Sequence, residues 1–497
     1  MSIQDVIQMT GLEEAAAAAP ARTPRLSVAR MYAALLAGDS SYNGRFFTGV
    51  LTTGIYCLPS CKARKPRREN VRFFPTVEAA RAAGLRPCQK CHPDDFARGS
   101  DPVLECVEAL VAEVRANPAA FADVGALVRR SGFGATRLFE LFRQHYHATP
   151  AEVLLRARLE TAKRKLLTSE ESLASIAYDA GFEALSSFHE NFRRLNGLTP
   201  AAYRDLRAAR RFTVALPPGY PLPYLRRALS RDLHSVTERL AGDTYTAAVA
   251  FDREPALLRL ELASESVQAE VSRGHAVAAH TWVVGQVGLD QDTAGFGRLV
   301  RRLHLERLIA GRPELRISQI GNLFDALLWS VIGQQIHFQF ACQLRRRLIE
   351  RAGTRLEAGL YVPPTAAAVA ALTPADLLKL QFSRQKTDYV LSLARMVAER
   401  KLDLAALRTG AATRVQRTLL AIRGLGPWSV NYLMMRALGF ADCLPLGDTG
   451  LSSGLQGLLG IDERPKPETI RQLMAVFSPF RSLATAHLWQ IHQPIPL

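Results

Sequence analysis

Four of the seven cysteines in this chain form two close pairs. Cys57 and Cys61 have three residues between them, Cys88 and Cys91 have two, and 26 residues separate the two pairs. Two such pairs around a short, turn-rich segment are typical of a tetrahedral zinc site with four thiolate ligands. Most sites of this kind only stabilise a fold, but zinc also keeps sulfur ionised, and the thiolate is the nucleophilic form of cysteine. The spacing therefore predicts a zinc centre and leaves open whether it is structural or chemically active.

The charge and length of the chain place these cysteines in a large, basic protein. Lys and Arg number 63 and Asp and Glu 46, which gives a net charge of +17 over 497 residues. An excess of this size favours a polyanionic partner, most simply nucleic acid, over an anionic membrane, for which no basic amphipathic helix stands out. No run of about 18 apolar residues predicts a transmembrane helix, and no signal peptide is recognisable. We therefore expect about three domains, a nucleic-acid partner and no membrane partner.

Three segments around the cysteines carry a resemblance to a known family. They are residues 52–64 (Thr-Thr-Gly-Ile-Tyr-Cys-Leu-Pro-Ser-Cys-Lys-Ala-Arg), 68–71 (Arg-Glu-Asn-Val) and 84–91 (Gly-Leu-Arg-Pro-Cys-Gln-Lys-Cys). Over about residues 40–96 the chain resembles the N-terminal domain of the Ada adaptive-response proteins. The resemblance implies that all four cysteines hold one zinc ion and that Cys57 also accepts a methyl group from a DNA methylphosphotriester.

The same resemblance implies contacts to DNA phosphates from residues near the cysteines. The candidates are Thr53, Arg64, Arg86 and Lys90. A solvated basic face without DNA contacts is the alternative for each of them. Methylation removes one negative charge from a zinc centre beside phosphate, so it should reduce repulsion and strengthen DNA binding.

An internal repeat follows the cysteine segment. Gly132, Phe133, Phe139, Phe142, Thr149 and Pro150 recur as Gly181, Phe182, Phe188, Phe192, Thr199 and Pro200, at offsets of 49 and then 50 residues. The repeat predicts two helix–turn–helix units in tandem, and about residues 103–205 resemble an AraC-type DNA-binding domain. The aromatic positions 139, 142, 188 and 192 share one helical face and are predicted to be core.

Base readers are expected on the exposed faces of the same helices. The candidates are Thr136, Arg137 and Glu140 in the first unit and Ser186, Ser187, His189 and Glu190 in the second. Of these, Arg137, Ser187 and His189 are assigned to DNA binding.

The segment after the repeat changes character. Residues 246–251, 257–262 and 267–271 look like strands, and residues 224–241 are a helix candidate. An α+β module is therefore expected over residues 212–285. The isolated cysteines of the chain, Cys106, Cys342 and Cys443, are predicted to be buried apolar residues.

A Gly-x-Gly turn between two helices marks the last part of the chain. Residues 419–433 predict a helix, a turn at Gly424 and Gly426, and a second helix that starts at Pro427. The glycines permit a sharp turn and bring backbone N–H groups close to a phosphate, although a plain helical hairpin is the alternative. Supporting segments are residues 324–335 (Phe-Asp-Ala-Leu-Leu-Trp-Ser-Val-Ile-Gly-Gln-Gln), 444–450 (Leu-Pro-Leu-Gly-Asp-Thr-Gly) and 479–489 (Pro-Phe-Arg-Ser-Leu-Ala-Thr-Ala-His-Leu-Trp). With these, about residues 212–497 resemble helix-hairpin-helix DNA glycosylases of the AlkA, 3-methyladenine type.

The glycosylase resemblance assigns roles to individual residues. It implies that Asp448 is the catalytic carboxylate, which would stabilise the sugar cation formed when an N-glycosidic bond breaks. Trp428, Tyr432 and Trp489 match the aromatic positions of the family's base pocket, with an ordinary core role as the alternative. Gln334 and Gln335 are assigned to DNA binding, and Gln335 falls at the wedge position, where the better-known enzyme has an apolar residue.

One residue of the hairpin distinguishes between the two reaction types of this glycosylase superfamily, hydrolysis alone and hydrolysis followed by strand cleavage. Trp428, not lysine, occupies the hairpin position at which lyase-type relatives carry a Schiff-base lysine. A monofunctional, hydrolytic glycosylase is therefore expected.

Together these patterns predict a multidomain, mainly α protein. We expect a small four-cysteine zinc domain, a tandem helix-turn-helix domain, an α+β module and an all-α helix-hairpin-helix glycosylase domain. The expected boundaries are a loose N-terminus at 1–24, the zinc methyl-acceptor domain at 25–98, the helix-turn-helix domain at 103–208, the α+β domain at 212–290 and the glycosylase domain at 291–497.

The predicted function is DNA alkylation repair and its regulation. The chain would transfer methyl groups irreversibly from methylphosphotriesters to Cys57, activate transcription when methylated, and excise bases such as 3-methyladenine. Its partners would be alkylated double-stranded DNA, a promoter and RNA polymerase. The resemblances also imply a cytoplasmic, bacterial-type protein that associates with DNA. One alternative is a transcription regulator with a DNA-binding but inactive glycosylase half, and another is a zinc-stabilised glycosylase whose N-terminal half only adds DNA affinity.

Overall fold

The computed structural model describes residues 26–39, 42–272, 274–356 and 358–492. Within these residues the chain divides into two compact units, an N-terminal unit within residues 13–112 and a C-terminal unit within residues 113–497. The loose N-terminus predicted at 1–24 lies outside the described residues. No helix of the described part is both long and apolar enough to cross a lipid bilayer.

A small mixed sheet organises the N-terminal unit. Its elements are α1 (Val28–Ala37), β1 (Phe47–Val50), β2 (Ile55–Cys57), a 3₁₀ helix (Arg68–Asn70), β3 (Val71–Phe74), α2 (Val77–Ala82), β4 (Arg86–Pro87), α3 (Pro93–Ala97) and the start of α4 (Pro102–Ala116). The strand order is β3-β1-β2-β4, with β1 antiparallel to both neighbours and β2 parallel to β4. The side chains of Phe47, Tyr56 and Phe74 form the centre of its core. Because β2 and β4 are parallel neighbours, the residues at their carboxyl ends lie side by side.

The repeat folds as two helix–turn–helix pairs joined by a long helix. The first pair is α5 (Val124–Ser131) and α6 (Ala135–Tyr146), the joining helix is α7 (Pro150–Thr168), the second pair is α8 (Leu173–Asp179) and α9 (Leu185–Asn196), and α10 (Pro200–Asp205) follows, with a 3₁₀ helix at Pro118–Ala120 before the first pair. The repeated Thr-Pro dipeptides begin helices, since Thr149 and Thr199 each cap a helix whose first turn contains the proline. Each turn has its glycine in the left-handed region, with φ of 70° at Gly132 and 91° at Gly181. The predicted tandem arrangement is confirmed.

A five-stranded antiparallel sheet follows the second pair. Its elements are β5 (Arg211–Ala215), α11 (Leu222–Leu229), β6 (Glu238–Ala241), β7 (Thr244–Phe251), β8 (Glu254–Leu262), β9 (Ser266–Glu270) and α12 (Ala276–Val287). The strand order is β5-β9-β8-β7-β6. The buried side chains of the sheet share one core with those of α8 to α10.

One helix in this module is shorter than the sequence predicts. The prediction of a helix over 224–241 is wrong beyond Leu229, because residues 238–241 pair with β7 instead. Between them, the Asp232 carboxylate accepts hydrogen bonds from the backbone N–H of His234 at 3.1 Å and from Arg346 at 2.6 Å. Strand pairing with β7 thus outweighs local helix propensity in residues 238–241.

Helices are the main elements of the remaining chain. They are α13 (Thr293–Arg302), α14 (Leu323–Ile332), α15 (Phe338–Ala352), α16 (Ala366–Ala370), α17 (Pro374–Lys379), α18 (Arg384–Ala398), α19 (Leu404–Thr409), α20 (Ala412–Leu420), α21 (Pro427–Arg436), α22 (Thr449–Leu459), α23 (Pro467–Ala475) and α24 (Arg481–His492), with a 3₁₀ helix at Glu306–Leu308 and the short strands β10 (Thr354–Arg355) and β11 (Tyr361–Val362). One large apolar core runs through them. The fold class predicted from the sequence is confirmed.

Candidate functional site

The four cysteines of the two close pairs meet in the N-terminal unit. Their Sγ atoms all lie within 4.8 Å of one another. Cys57 ends β2 and Cys88 follows the parallel strand β4, and the Cys88 N–H donates to the carbonyl of Tyr56 at 3.0 Å. Cys61 and Cys91 come a few residues later, so both turns fold back onto the same point. Four thiols this close match the ligand set and size of one tetrahedral zinc ion.

The surroundings of the four sulfur atoms differ. Backbone N–H groups donate to Cys88 Sγ at 3.4 Å and to Cys91 Sγ at 3.3 Å, and Cys61 accepts from the backbone of Ala63. Hydrogen bonds with the thiols of Cys61 and Cys91, together with burial, raise the pKa of the Cys57 thiol. Thiols that crowd one another in this way ionise together only around a cation, which supports zinc at this position.

The predicted phosphate contacts surround this cluster on exposed surface. Thr53, Arg64, Arg86 and Lys90 are all exposed. Arg86 lies on β4, which leads into Cys88, and the Thr53 hydroxyl donates to the carbonyl of Val50 at 3.4 Å in the β1–β2 turn. Their side chains are therefore accessible to a phosphate, and the contacts themselves stay predictions.

One basic residue beside the cluster was missed by the sequence reasoning. Lys65 donates to the carbonyl of Cys61 at 2.7 Å. Its burial lowers the pKa of the Lys65 ammonium, whereas the neighbouring thiols act in the opposite direction. Lys65 follows Cys61 by four residues, and this short spacing could have indicated that Lys65 lies beside the cluster.

Most of the residues predicted to contact DNA bases lie on the surface of α6 and α9. Thr136, Glu140, Ser186, Ser187 and Glu190 are exposed, and Arg137 and His189 are half-buried. Arg137 forms an ion pair with Glu140 one helical turn away, at 3.2 Å. DNA contacts by these residues stay predictions.

The prediction that Phe139 lies in the core is wrong. Its side chain is 45% exposed, while Phe142, Phe188 and Phe192 are fully buried. The extra residue of the second unit falls in the turn, so the helices α6 and α9 correspond at an offset of 50 and Leu138 occupies the place of Phe188. Phe139 is thereby rotated out of the core, where the Arg143 guanidinium lies 5.4 Å from its ring centroid.

The hairpin turn, which we define as residues 422–426, joins α20 to α21. Gly424 has a φ of 96°, and a Cβ there would lie 2.6 Å from the Tyr389 ring. Gly426 has an ordinary φ of −93°, and no atom lies within 4 Å of a Cβ at that position. The first glycine is thus needed for the turn, while the second leaves open space at the start of α21, where a phosphate can approach the helix N-terminus.

The two glutamines before α15 occupy different environments. Gln334 donates from Nε2 to the carbonyl of Gly424 at 2.7 Å and to the Ser429 hydroxyl at 3.3 Å, so its amide supports the hairpin turn from the protein side. Gln335 is exposed in a left-handed turn with a φ of 56°. The wedge role of Gln335 and DNA contact by Gln334 stay predictions.

An aromatic cleft lies beside the hairpin turn. The rings of Trp428 and Tyr432 stack at 5.2 Å with an interplanar angle of 19°, and Trp489 lies 6.4 Å from Tyr432. These rings and Asp448 line a cavity of about 830 Å³. Trp428 and Trp489 are half-buried, so their faces are accessible to a planar ligand of the size of a nucleobase.

The carboxylate of Asp448 is oriented by both tryptophans. Trp489 Nε1 donates to Oδ1 at 2.8 Å and Trp428 Nε1 donates to Oδ2 at 3.2 Å. Asp448 also caps α22, since Oδ1 accepts from the N–H of Leu451 at 2.8 Å. Three donors hold the group in one place while the cavity remains open in front of it.

Close packing of α22 on α24 brings Trp489 to this carboxylate. A Cβ at Gly450 would lie 2.8 Å from Trp489 Cδ1, and one at Gly454 would lie 2.2 Å from the carbonyl oxygen of Leu488. Only glycine permits so small a separation at these positions.

The other carboxylate near the cleft has a structural role. Asp442 is buried and accepts from Arg481 and from the Ser478 hydroxyl, the latter at 2.8 Å. Burial would raise the pKa of Asp442, but the Arg481 guanidinium keeps it below its usual value. Asp442 is thus ionised and fully engaged by protein groups, which leaves Asp448 as the carboxylate that faces the cavity.

Comparisons with known proteins match three separate stretches of the chain. The metal binding domain of Ada matches residues 30–94, a helix-turn-helix domain matches 127–206 and the HhH-GPD superfamily of base excision DNA repair proteins matches 328–479. A bifunctional transcriptional activator/DNA repair enzyme AdaA of Bacillus subtilis is 30% identical over 35% of this chain and 81% of its own length. The chain belongs to the Ada-type family of transcriptional activators and DNA repair enzymes.

Its second half has relatives of its own. A DNA-3-methyladenine glycosylase of Bacillus subtilis is 31% identical over 43% of this chain and 70% of its own length, so the chain also belongs to that glycosylase family. A probable bifunctional transcriptional activator/DNA repair enzyme AlkA of Mycobacterium tuberculosis is 28% identical over 93% of this chain and 95% of its own length. The fold of a 3-methyladenine DNA-glycosylase from Archaeoglobus fulgidus covers 57% of this chain with a TM-score of 0.50 at 18% identity.

Membership of the Ada-type family confirms several predictions at once. The zinc cofactor, the DNA partner and the combination of transcription regulation with DNA repair are confirmed. The prediction that all three isolated cysteines are buried is wrong for Cys106, which is exposed on α4, whereas Cys342 and Cys443 are buried.

One cleft residue was missed by the sequence reasoning. Arg231, just after α11, lines the cavity next to Tyr432, and its guanidinium lies 3.5 Å from the Tyr432 hydroxyl and 5.0 Å from the Phe338 ring centroid. Burial would raise the pKa of Tyr432, but Arg231 and Arg436 keep it below its usual value. A single arginine at the end of a helix carries no spacing signal, so only the folded chain reveals it.

Proposed function

We propose that the C-terminal half removes alkylated purines such as 3-methyladenine from double-stranded DNA by hydrolysis of the N-glycosidic bond. The observation that carries this proposal is the carboxylate of Asp448, held by two indole N–H groups at the edge of an open aromatic cavity. We further propose that residues 212–290 and 291–497 act together as the glycosylase. In the sequence they follow a zinc domain at 25–98 and a DNA-binding domain at 103–208.

In this mechanism the damaged nucleotide leaves the helix stack and its base enters the cleft. Alkylated purines are electron-poor and often cationic, so the faces of Trp428 and Trp489 attract them by stacking and cation–π interaction. As the bond from C1′ to the base breaks, positive charge develops on the sugar, and the Asp448 carboxylate stabilises it. The base departs with the bonding electrons, which neutralise a cationic purine. Water then adds to C1′ and gives up one proton, for which the Asp448 carboxylate is the nearby acceptor. Trp428 provides no amine for a Schiff base, so the reaction is monofunctional.

Substitution of the carboxylate tests this proposal. Asp448→Asn keeps the Oδ1 acceptor for Leu451 and Trp489 and loses one hydrogen bond, since an amide faces Trp428 Nε1 in place of Oδ2. Loss of ~3–4 kcal/mol of cation stabilisation should slow single-turnover excision of 3-methyladenine about 10²- to 10³-fold. DNA affinity should stay close to parental or rise slightly. The exposed Asp462→Asn is the matched control and should excise normally. A folded Asp448→Asn protein with the parental rate would contradict the assignment and favour an inactive, DNA-binding half.

We also propose that Cys57 accepts the methyl group of a DNA methylphosphotriester. The sulfur attacks the methyl carbon, an S–CH₃ bond forms, the CH₃–O bond breaks, and the phosphate leaves as a phosphodiester. A bound zinc ion would keep the four sulfurs deprotonated at neutral pH. Cys57 is favoured because the other three sulfurs each accept a backbone N–H, which lowers the charge available for attack. Transfer consumes the protein, since no step restores the thiolate.

Peptide mass spectrometry tests the acceptor. After incubation with DNA that carries methylphosphotriesters, one methyl group should be found on Cys57, with zinc content measured in parallel. The exposed Cys106 serves as an internal control for unspecific alkylation. Methyl on Cys91, the most exposed of the four ligands, or on Cys88 would contradict the proposal.

We propose in addition that methylation switches the protein to an activator that works with RNA polymerase in the cytoplasm. Loss of one thiolate charge reduces repulsion between the zinc centre and DNA phosphates. Methylated protein should therefore bind its promoter more tightly than unmethylated protein, most clearly at low salt, as measured by fluorescence anisotropy. If the methylated and unmethylated forms bind all tested promoters with equal affinity, the proposed switch by methylation is contradicted.

A further inference from the structure

The geometry points to the first helix–turn–helix pair as a working part of the glycosylase centre. We infer that His147, at the end of α6, is a positioning residue for the segment that carries Asp448. This inference rests on the proposed excision reaction and adds to it a residue outside the glycosylase domain. It joins the DNA-reading part of the chain to the repair centre by a direct hydrogen bond.

The contact is specific in geometry. His147 Nδ1 accepts a hydrogen bond from the backbone N–H of Asp442 at 3.1 Å, across 295 residues of sequence. His147 ends α6 in the left-handed region, with a φ of 54°, and its ring meets the Phe440 ring edge-on at 5.4 Å. A left-handed histidine is uncommon, and here it directs the imidazole out of the helix and onto the glycosylase domain.

Asp442 is the anchor of the catalytic segment, which we define as residues 442–448. Arg481 donates to the Asp442 carboxylate from Nε at 2.7 Å and to its backbone carbonyl from Nη2 at 3.0 Å. Arg481 is also the first residue of α24, the helix that carries Trp489 to Asp448. The N–H of Asp442 completes this set of bonds, and His147 is its acceptor. A shift of Asp442 therefore moves both the segment before Asp448 and the helix behind Trp489.

A second contact ties α6 to the start of α20, the helix before the hairpin turn. His145 Nδ1 lies 2.8 Å from the Thr413 hydroxyl on α20, the helix that leads into the hairpin turn. Arg115 donates to the carbonyl of Thr409 at 2.7 Å, just before that helix. The end of α6 thus contacts the helix that leads into the hairpin turn and the segment that carries Asp448.

The protonation state of His147 agrees with its acceptor role. Burial lowers the pKa of His147 to about 4, although the Asp442 carboxylate acts in the opposite direction. The ring is therefore neutral near pH 7, and Nδ1 has a lone pair for the Asp442 N–H.

Two substitutions at His147 separate positioning from folding. His147→Leu keeps an apolar body and loses the acceptor, whereas His147→Asn offers an acceptor oxygen and tolerates the left-handed backbone. In the full chain, His147→Leu should slow single-turnover excision at saturating DNA about tenfold, the effect of one lost hydrogen bond, with DNA affinity within about twofold of parental. His147→Asn should recover most of the rate.

The controls distinguish this inference from the proposed function. Gln144→Ala, at an exposed position of the same helix, should match the parental protein. Methyl transfer to Cys57 should be unchanged in all variants. A His147→Leu protein that excises at the parental rate overturns the inference, and so does a His147→Asn protein that is as slow as His147→Leu with an unchanged melting temperature. If the parental protein itself excises no 3-methyladenine, the proposed function is refuted instead.

Discussion

At the scale of single residues, the most informative group is the Asp448 carboxylate. Its two oxygens accept from two different indole N–H groups and from the first turn of α22. A carboxylate fixed in this way needs little reorganisation when charge develops opposite it. The tryptophans therefore do more than stack with a base, because they also hold the group that stabilises the sugar cation.

Removal of one indole N–H at a time tests this second role. Trp489→Phe and Trp428→Phe both keep an aromatic face and lose the donor. We expect excision to slow about tenfold in Trp489→Phe and less in Trp428→Phe, because the Trp489 bond is shorter, 2.8 Å against 3.2 Å. Single-turnover kinetics with 3-methyladenine DNA measure both rates. Equal, parental rates would show that the tryptophans act through stacking alone.

At the scale of elements, the two glycines of the hairpin turn illustrate different constraints. Gly424 combines a left-handed φ with a close approach to the Tyr389 ring, whereas Gly426 has neither constraint and borders open space. Gly424 is therefore needed for the stability of the turn, whereas Gly426 keeps space free for a DNA phosphate.

A matched pair of alanine substitutions separates these constraints. Gly426→Ala should fold normally and weaken DNA binding several-fold, because its methyl group enters the space that a phosphate would occupy. Gly424→Ala should lower the melting temperature, since its Cβ would lie 2.6 Å from the Tyr389 ring. Thermal unfolding and DNA titration of both variants give the comparison. Parental DNA affinity in Gly426→Ala would argue against phosphate binding at this turn.

At the scale of the whole molecule, the C-terminal unit holds histidines that cannot readily take up a proton. His280 is buried between α9 and the sheet, and its Nε2 lies 2.8 Å from the carbonyl oxygen of Asn196. Burial lowers the pKa of His280 to about 4 and that of His487 to about 3. An unfolded chain protonates both near pH 6.5. Stability is therefore fully present above pH 6.5 and is lost as the pH falls toward 4.

We expect the free energy of unfolding of the C-terminal unit to fall by about 3 kcal/mol for each of the two histidines over this range. All four tryptophans lie in this unit, so urea unfolding followed by tryptophan fluorescence reports on it alone. His280→Gln should flatten the pH dependence, and the exposed His234→Gln should leave it unchanged. Stability that is constant between pH 7 and 4.5 would contradict the prediction.

Local sequence patterns are enough to predict the zinc cluster, the helix pairs and the hairpin turn of this protein. The spacing of Cys57, Cys61, Cys88 and Cys91 predicts their cluster, because short segments between ligands restrict how far apart they can lie. The repeat and the Gly-x-Gly turn likewise predict helix pairs, since capping residues, turn glycines and helical periodicity act within a few neighbouring residues.

How these parts pack against one another could not be predicted from local sequence patterns. The exposure of Phe139 follows from a one-residue insertion in a turn, the end of α11 from contacts of its downstream segment, and the orientation of Asp448 from an indole 41 residues later. The hydrogen bond between His147 and Asp442 spans 295 residues. Such contacts depend on the packing of elements that are distant in the chain, and local spacing carries no information about them, because each partner is an ordinary residue until the fold brings the other to it.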